Sequence, residues 1–152
     1  MTYSNSRADL RLAIYRQLAA TGEVHTPASL AAEFEISPTE AAAELKLLAS
    51  EDDAIVLLPD SPYIWMAEPF SAVATDYKVT AKDGRHWFGN CIWDALAIGA
   101  LLDTETEVET RCPFSNEALT LSTNAGELSG STSAVVQFAV PARDWWKSIG
   151  FS

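Results

Sequence analysis

The sequence predicts an α+β protein in which a winged-helix-like N-terminal module of three helices precedes a small, mostly antiparallel sheet with one central helix. Two observations support this prediction. Apolar residues recur at helical spacing in the first 50 residues, whereas short alternating segments separated by turn-rich stretches dominate after residue 74. The pattern changes near Pro69, so we expect an N-terminal domain at 1–68 and a second domain at 69–152.

Start and stop signals define the helices of the N-terminal module. The apolar spacing over 8–20 indicates a helix that ends at Gly22. Thr26 and Ser37 are N-cap signals, each followed by proline, and they begin a short helix and a longer one at 39–50. Two apolar runs then predict a pair of strands, "AIVLL" and "YIWMA". Three helices and a hairpin are typical of a winged helix-turn-helix.

The charge of the chain argues against nucleic-acid and membrane partners. A formal net charge of −11 repels both the phosphate backbone and an anionic membrane surface. The helix at the DNA-reading position, "PTEAAAELKLLASED", has one lysine and four acidic residues, which favours a structural or partner-facing module. No apolar run reaches about 18 residues, and charges interrupt the N-terminus. We expect a soluble cytoplasmic protein.

The second half of the sequence alternates between strands and turns around one helix. "PFSAVA" is predicted to be a connector, and "DYKVTA" and "RHWFGN" flank a hairpin turn. A helix is predicted over 91–102. Three further strands and a short C-terminal helix are expected at "TEVETRCP", "ALTLST", "AVVQFAVP" and "ARDWWKSIGFS", with "NAGELSGSTS" as a turn-rich segment.

A thiol and a carboxylate meet at the start of the central helix, in "WFGNCIWDALAIGALL". Asn90 is predicted to be the N-cap, which puts Cys91 at the first helical position, where the helix dipole favours a thiolate. Asp94 follows one turn later on the same face, and half-burial under Trp87 and Trp93 would raise its pKa. The pair suits a nucleophile or soft-metal ligand beside a proton carrier. The alternative is a small buried cysteine and an aspartate that merely stabilises the helix start.

Other candidate sites are less specific. His25 precedes a turn and is expected to be a solvated loop residue. His86, Cys91 and Cys112 form a conceivable zinc set, but they lack the close ligand spacing of structural zinc sites. A disulfide between the two cysteines is a further alternative, which the expected reducing compartment disfavours. No Gly-rich phosphate loop, G-x-S-x-G elbow or H-E-x-x-H motif occurs, so no cofactor is expected.

Residues 69–151 resemble the alkylmercury lyase (organomercurial lyase) family, notably in "FSAVATDYKVTAKDGRHWFGNCIWDALAIGALL", "VETRCP" and "VVQFAVPARDWWKSIGF". That family also has a winged-helix-like domain before its catalytic fold. Its C-x-x-D motif falls on Cys91 and Asp94, and Cys112 matches a cysteine taken to be structural. The resemblance implies cleavage of carbon–mercury bonds, with the Cys91 thiolate binding mercury and Asp94 carrying the proton to the departing carbon.

The resemblance also implies the partners of the reaction. A small organomercurial is the expected substrate, and cellular thiols or a mercury reductase are the expected mercury acceptors. The family's second catalytic cysteine follows the stretch that matches "WWKSIGF", so the catalytic domain is expected to be short at its C-terminus. Cys112 or Ser152 would then be a substitute ligand, although a hydroxyl is a hard, weak ligand for mercury. The alternatives are a non-catalytic member that binds mercury or another soft metal, and a regulator that uses the N-terminal module.

Overall fold

The computed structural model describes residues 6–51, 55–130 and 133–147 of the chain. In these ranges the helices are α1 (Arg7–Thr21), α2 (Pro27–Phe34), α3 (Pro38–Ser50) and α4 (Ile92–Leu101), with a 3-10 helix at Ala142–Lys147. The strands are β1 (Val56–Leu57), β2 (Ile64–Ala67), β3 (Phe70–Ser71), β4 (Lys78–Ala81), β5 (His86–Phe88), β6 (Thr106–Arg111), β7 (Ala118–Asn124) and β8 (Glu127–Gly130). The predicted α+β class is confirmed.

The N-terminal module consists of α1 to α3 and an antiparallel sheet with the order β1-β2-β3. Both predicted N-caps are present as capping boxes, in which Thr26 and Ser37 exchange hydrogen bonds with the residue three positions later. The third strand, β3, lies in the segment predicted to be a connector. It pairs with β2 through a tight turn at Glu68 and a cis Pro69, so the predicted boundary at 68/69 coincides with the tip of this hairpin.

The second half of the chain forms an antiparallel sheet with the order β5-β4-β6-β7-β8. Helix α4 crosses one face of this sheet and buries Ala95, Ile98 and Gly99 against it. A side chain at Gly99 would overlap the hydroxyls of Thr106 and Thr123, which are hydrogen-bonded to each other at 2.8 Å. The helix and the sheet therefore approach closely, and this contact fixes the position of α4.

The last strand differs from the prediction. "AVVQFAVP" is not a strand, and β8 lies instead in "NAGELSGSTS", which was predicted to be a turn. Ala125 and Gly126 both have positive φ, 48° and 81°, which is the geometry of a two-residue hairpin that sends the chain straight back along β7. Strand β8 is thus the edge strand of the sheet, and residues 133–141 add no further strand.

The two halves of the chain share one hydrophobic core. Trp87 of β5 is 1% exposed, and its indole Nε1 donates a hydrogen bond of 2.8 Å to the Leu18 carbonyl of α1. A β-bridge between Phe70 and Gly89 joins the two sheets at the residues that precede α4. The N-terminal module is thus packed against the start of α4. In the described part of the chain, every helix is too short or too polar to cross a bilayer.

Candidate functional site

Cys91 lies where α4 begins, directly after the bridge between the two sheets. It is the N-cap of the helix, with extended backbone (φ −143°, ψ 179°), and its carbonyl accepts the first helical hydrogen bond from the Ala95 N–H at 3.0 Å. The prediction that Asn90 is the N-cap is therefore wrong by one residue. The Asn90 amide nitrogen donates to Asp94 and to the Phe70 carbonyl, and the side chain does not cap α4.

Asp94 is half-buried in the first turn of α4 and faces Cys91, as the one-turn spacing predicted. Its carboxylate accepts a hydrogen bond of 3.1 Å from Asn90 Nδ2, and the Cys91 thiol lies close enough to influence its ionisation. Burial raises the pKa of Asp94, and the interactions with Asn90 and Cys91 oppose the rise without cancelling it. The carboxyl group therefore holds a proton more readily than an exposed aspartate does.

The protonation state of the Cys91 thiol differs from the prediction of a thiolate. Burial has the largest effect, and together with the negative charge of Asp94 it raises the pKa of Cys91 above that of a free thiol. The backbone N–H groups of Asp94 and Trp93 oppose this rise, as expected at a helix N-terminus, without cancelling it. Cys91 therefore keeps its proton near neutral pH.

Two further ionisable side chains lie close to this pair, and no motif or spacing in the sequence predicted either. The hydroxyl of Tyr77 lies near Cys91, and burial, then Cys91 and Asp76, raise its pKa. Glu68, at the tip of the β2–β3 hairpin, is exposed to solvent as a whole residue. Its carboxyl group is nevertheless partly desolvated, and this desolvation, followed by the charge of Asp94, raises its pKa. Both residues reach the site through strand pairing between distant segments, which residue spacing does not reveal.

Comparison with known proteins identifies the family to which this chain belongs. The sequence model of the alkylmercury lyase (MerB) family matches residues 70–151, more than half of the chain. The chain belongs to the alkylmercury lyase family. Among solved structures, the mercury-bound form of MerB2 is similar in fold, with a TM-score of 0.64 and 22% sequence identity over 86% of this chain and 61% of that one. The chain thus spans less than two thirds of that relative. No curated protein matches the sequence.

Cys112, which the resemblance matched to a structural cysteine, directly follows β6. Strand β4 separates β6 from β5, which leads to Cys91, so the two strands are about 10 Å apart. Both thiols are free. A hydrogen bond with Ser115 lowers the pKa of Cys112, opposite to the shift at Cys91. A groove of about 650 Å³ along β6 and β7 is lined by Tyr77 and Cys112 among others.

The remaining predicted candidates do not join the site. His25 is buried, 5% exposed, with Nδ1 3.0 Å from the Ser29 hydroxyl and Nε2 3.4 Å from Glu33, so the expectation of a solvated loop residue is wrong. Burial lowers its pKa. Within the described ranges, no group of three or more His, Cys, Asp and Glu side chains is arranged to hold a metal ion. Ser152 lies outside the described residues.

Proposed function

We propose that this chain binds an organomercurial through Cys91 and cleaves its carbon–mercury bond by protonation of the carbon, with Asp94 as the proton carrier. One observation carries the proposal: the thiol at the N-cap of α4 and the carboxyl group in its first turn are half-buried neighbours whose charges interact. Membership of the alkylmercury lyase family supports the substrate class. The softness of sulfur supports the choice of metal, because a soft cation prefers a thiolate to oxygen ligands.

The first step exchanges a proton for mercury at sulfur. The Cys91 thiol passes its proton to the neighbouring Asp94 carboxylate, and the sulfur forms a bond to the mercury of R–Hg⁺. Burial raises the pKa of Asp94, so this carboxyl group holds the proton more strongly than an exposed aspartate would. The product of the step is a neutral S–Hg–R adduct next to a protonated carboxyl group.

The second step breaks the carbon–mercury bond. Asp94 delivers its proton to the carbon, the electron pair of the C–Hg bond becomes the new C–H bond, and the hydrocarbon R–H leaves. Mercury(II) stays on the Cys91 sulfur, and Asp94 is again a carboxylate, so the step needs no oxidant or reductant. Cellular thiols or a mercury reductase then take the metal, and Cys91 regains a proton.

A second candidate function is binding of an organomercurial or another soft metal without cleavage. The observation that favours it is the separation of the two cysteines, because Cys91 follows β5, Cys112 follows β6, and β4 lies between these strands. One sulfur ligand activates the C–Hg bond less than two do, since each added thiolate places more electron density on the metal. Such a protein would hold mercury on Cys91 and release no hydrocarbon.

Release of benzene from phenylmercury acetate separates these functions. Purified protein with excess thiol is sampled by headspace gas chromatography, and the proposal expects benzene from the wild type and none from Cys91→Ser. Cys112→Ser is the matched control, because it removes the other thiol outside the site and should keep the activity. Stoichiometric mercury binding without benzene selects the second candidate. A protein that neither binds mercury nor releases benzene would refute both candidate functions.

A further inference from the structure

The carboxamide of Asn90 connects Asp94 to the N-terminal module. Its Nδ2 donates to Asp94 Oδ2 at 3.1 Å and to the Phe70 carbonyl oxygen at 3.4 Å. The orientation of the amide is fixed by chemistry, because a flipped amide would place its oxygen against two other acceptors. Both donor hydrogens of Asn90 are thus directed at fixed acceptors on two different elements.

The oxygen of the same carboxamide is buried and has no hydrogen-bond partner in the described residues. A buried, unpaired acceptor carries a desolvation cost that folding normally avoids. Asn90 does not recover this cost as a helix cap, since Cys91 holds the N-cap position. The side chain is therefore better suited to holding Asp94 than to stabilising the fold.

The Phe70 carbonyl, which accepts the second hydrogen bond from Asn90, is held in a rigid position. Phe70 is 1% exposed, belongs to β3, and forms the bridge to Gly89 that precedes the site. Its carbonyl is consequently fixed relative to the backbone of Asn90. A carboxylate bonded to an amide that is anchored in this way loses rotamer freedom and stays in the position where it faces the Cys91 thiol.

We propose that Asn90 is a positioning residue of the site, whose Nδ2 holds the Asp94 carboxylate against Cys91 by anchoring it to the Phe70 carbonyl. The inference rests on the proposed function and adds a residue outside the C-x-x-D pair. It also assigns a role to the N-terminal module, because the anchor belongs to the β2–β3 hairpin. The substrate does not contact Asn90 in this scheme, so its effect is on the chemical step and not on binding.

The test compares Asn90→Leu, which keeps the size of the side chain and removes the donors, with Thr75→Val as a matched control. The Thr75 hydroxyl donates to the Gly89 carbonyl at 2.7 Å and accepts from the Tyr77 N–H at 3.2 Å, so this control removes two hydrogen bonds close to the site, neither of which involves Asp94. We expect Asn90→Leu to lower kcat for benzene release by about 10- to 100-fold with KM nearly unchanged. Thr75→Val should leave both constants near wild type. Equal kcat in Asn90→Leu and wild type, or equal losses in both variants, would overturn the inference.

A second readout keeps the inference separate from the proposed function. Melting temperatures of Asn90→Leu, Asp94→Ala and the double variant form a cycle that needs no turnover. We expect the double variant to lose clearly less than the sum of the single losses, whereas Thr75→Val and Asp94→Ala should be additive. If the wild type releases no benzene, the proposed function fails and this cycle alone decides whether Asn90 holds Asp94; additivity refutes it. Asn90→Ser replaces Asn90→Leu if the latter does not fold.

Discussion

Replacing Trp87 by phenylalanine tests whether the N-terminal module and the five-stranded sheet fold as one unit. Trp87 is 1% exposed, and its indole donates to the Leu18 carbonyl across the interface of the two halves. The variant removes this hydrogen bond and replaces the indole by the smaller phenyl ring within a packed core. Because β5 leads directly into Gly89, Asn90 and Cys91, the same interface determines where the candidate site lies.

The expected loss of stability follows from these contacts. A neutral hydrogen bond contributes about 1 kcal/mol net, and the Leu18 carbonyl keeps a partner because it also accepts the Gly22 N–H at 2.8 Å. The variant therefore leaves no buried carbonyl without a hydrogen bond, and the desolvation cost of such a carbonyl is not added. The two ring carbons that are lost contribute about 0.8 kcal/mol each when buried. The free energy of unfolding should fall by about 2.5 kcal/mol, which lowers the melting temperature by about 5–10 °C for a chain of this size.

Thermal unfolding followed by circular dichroism measures this change. Trp93→Phe is the matched control, because Trp93 is 57% exposed and the same exchange there should change the stability by no more than about 0.5 kcal/mol. We expect one cooperative transition in every case, since the core is continuous. Equal melting temperatures of the two variants, or two separate transitions in the wild type, would refute the reasoning.

Three shorter predictions concern the end of α1 and the two thiols. Gly22 has φ +75°, and a Cβ there would overlap the His86 carbonyl. Left-handed strain of about 1 kcal/mol alone lowers the melting temperature by a few degrees, so Gly22→Ala should lower it by more than that; an unchanged melting temperature contradicts the close approach. Burial raises the pKa of Cys91 whereas hydrogen bonding lowers that of Cys112, so iodoacetamide at neutral pH should modify Cys112 first, as peptide mass mapping will show. Asp94→Asn removes a negative charge beside Cys91 and should move its alkylation curve to lower pH; a curve that stays in place argues against the contact.

The sequence predicted those features that depend on local signals. The capping boxes at Thr26 and Ser37 determined where α2 and α3 begin, and both are present. The apolar run after Cys91 indicated the central helix, and the one-turn spacing placed Asp94 on the side of the thiol. Each of these features is a property of a few adjacent residues, so no tertiary information was needed.

The features that were missed depend on contacts between distant segments. Strand β3 exists because a tight turn at Pro69 returns the chain to β2, and β8 exists because Ala125 and Gly126 adopt positive φ. The direction of the pKa shift at Cys91 was wrong because burial outweighs the helix N-terminus, and burial depends on the packing of the whole domain. Glu68 reaches Asp94 for the same tertiary reason.

The most direct test of the two-residue mechanism is the mass of the protein after reaction with one equivalent of phenylmercury acetate and no added thiol. Native mass spectrometry distinguishes an adduct that retains the phenyl group from one that has lost it. We predict that the wild type carries mercury without phenyl, and that Asp94→Asn retains the intact phenylmercury group on Cys91. A wild type that keeps the phenyl group, or an Asp94→Asn variant that loses it as fast as the wild type, would contradict the mechanism.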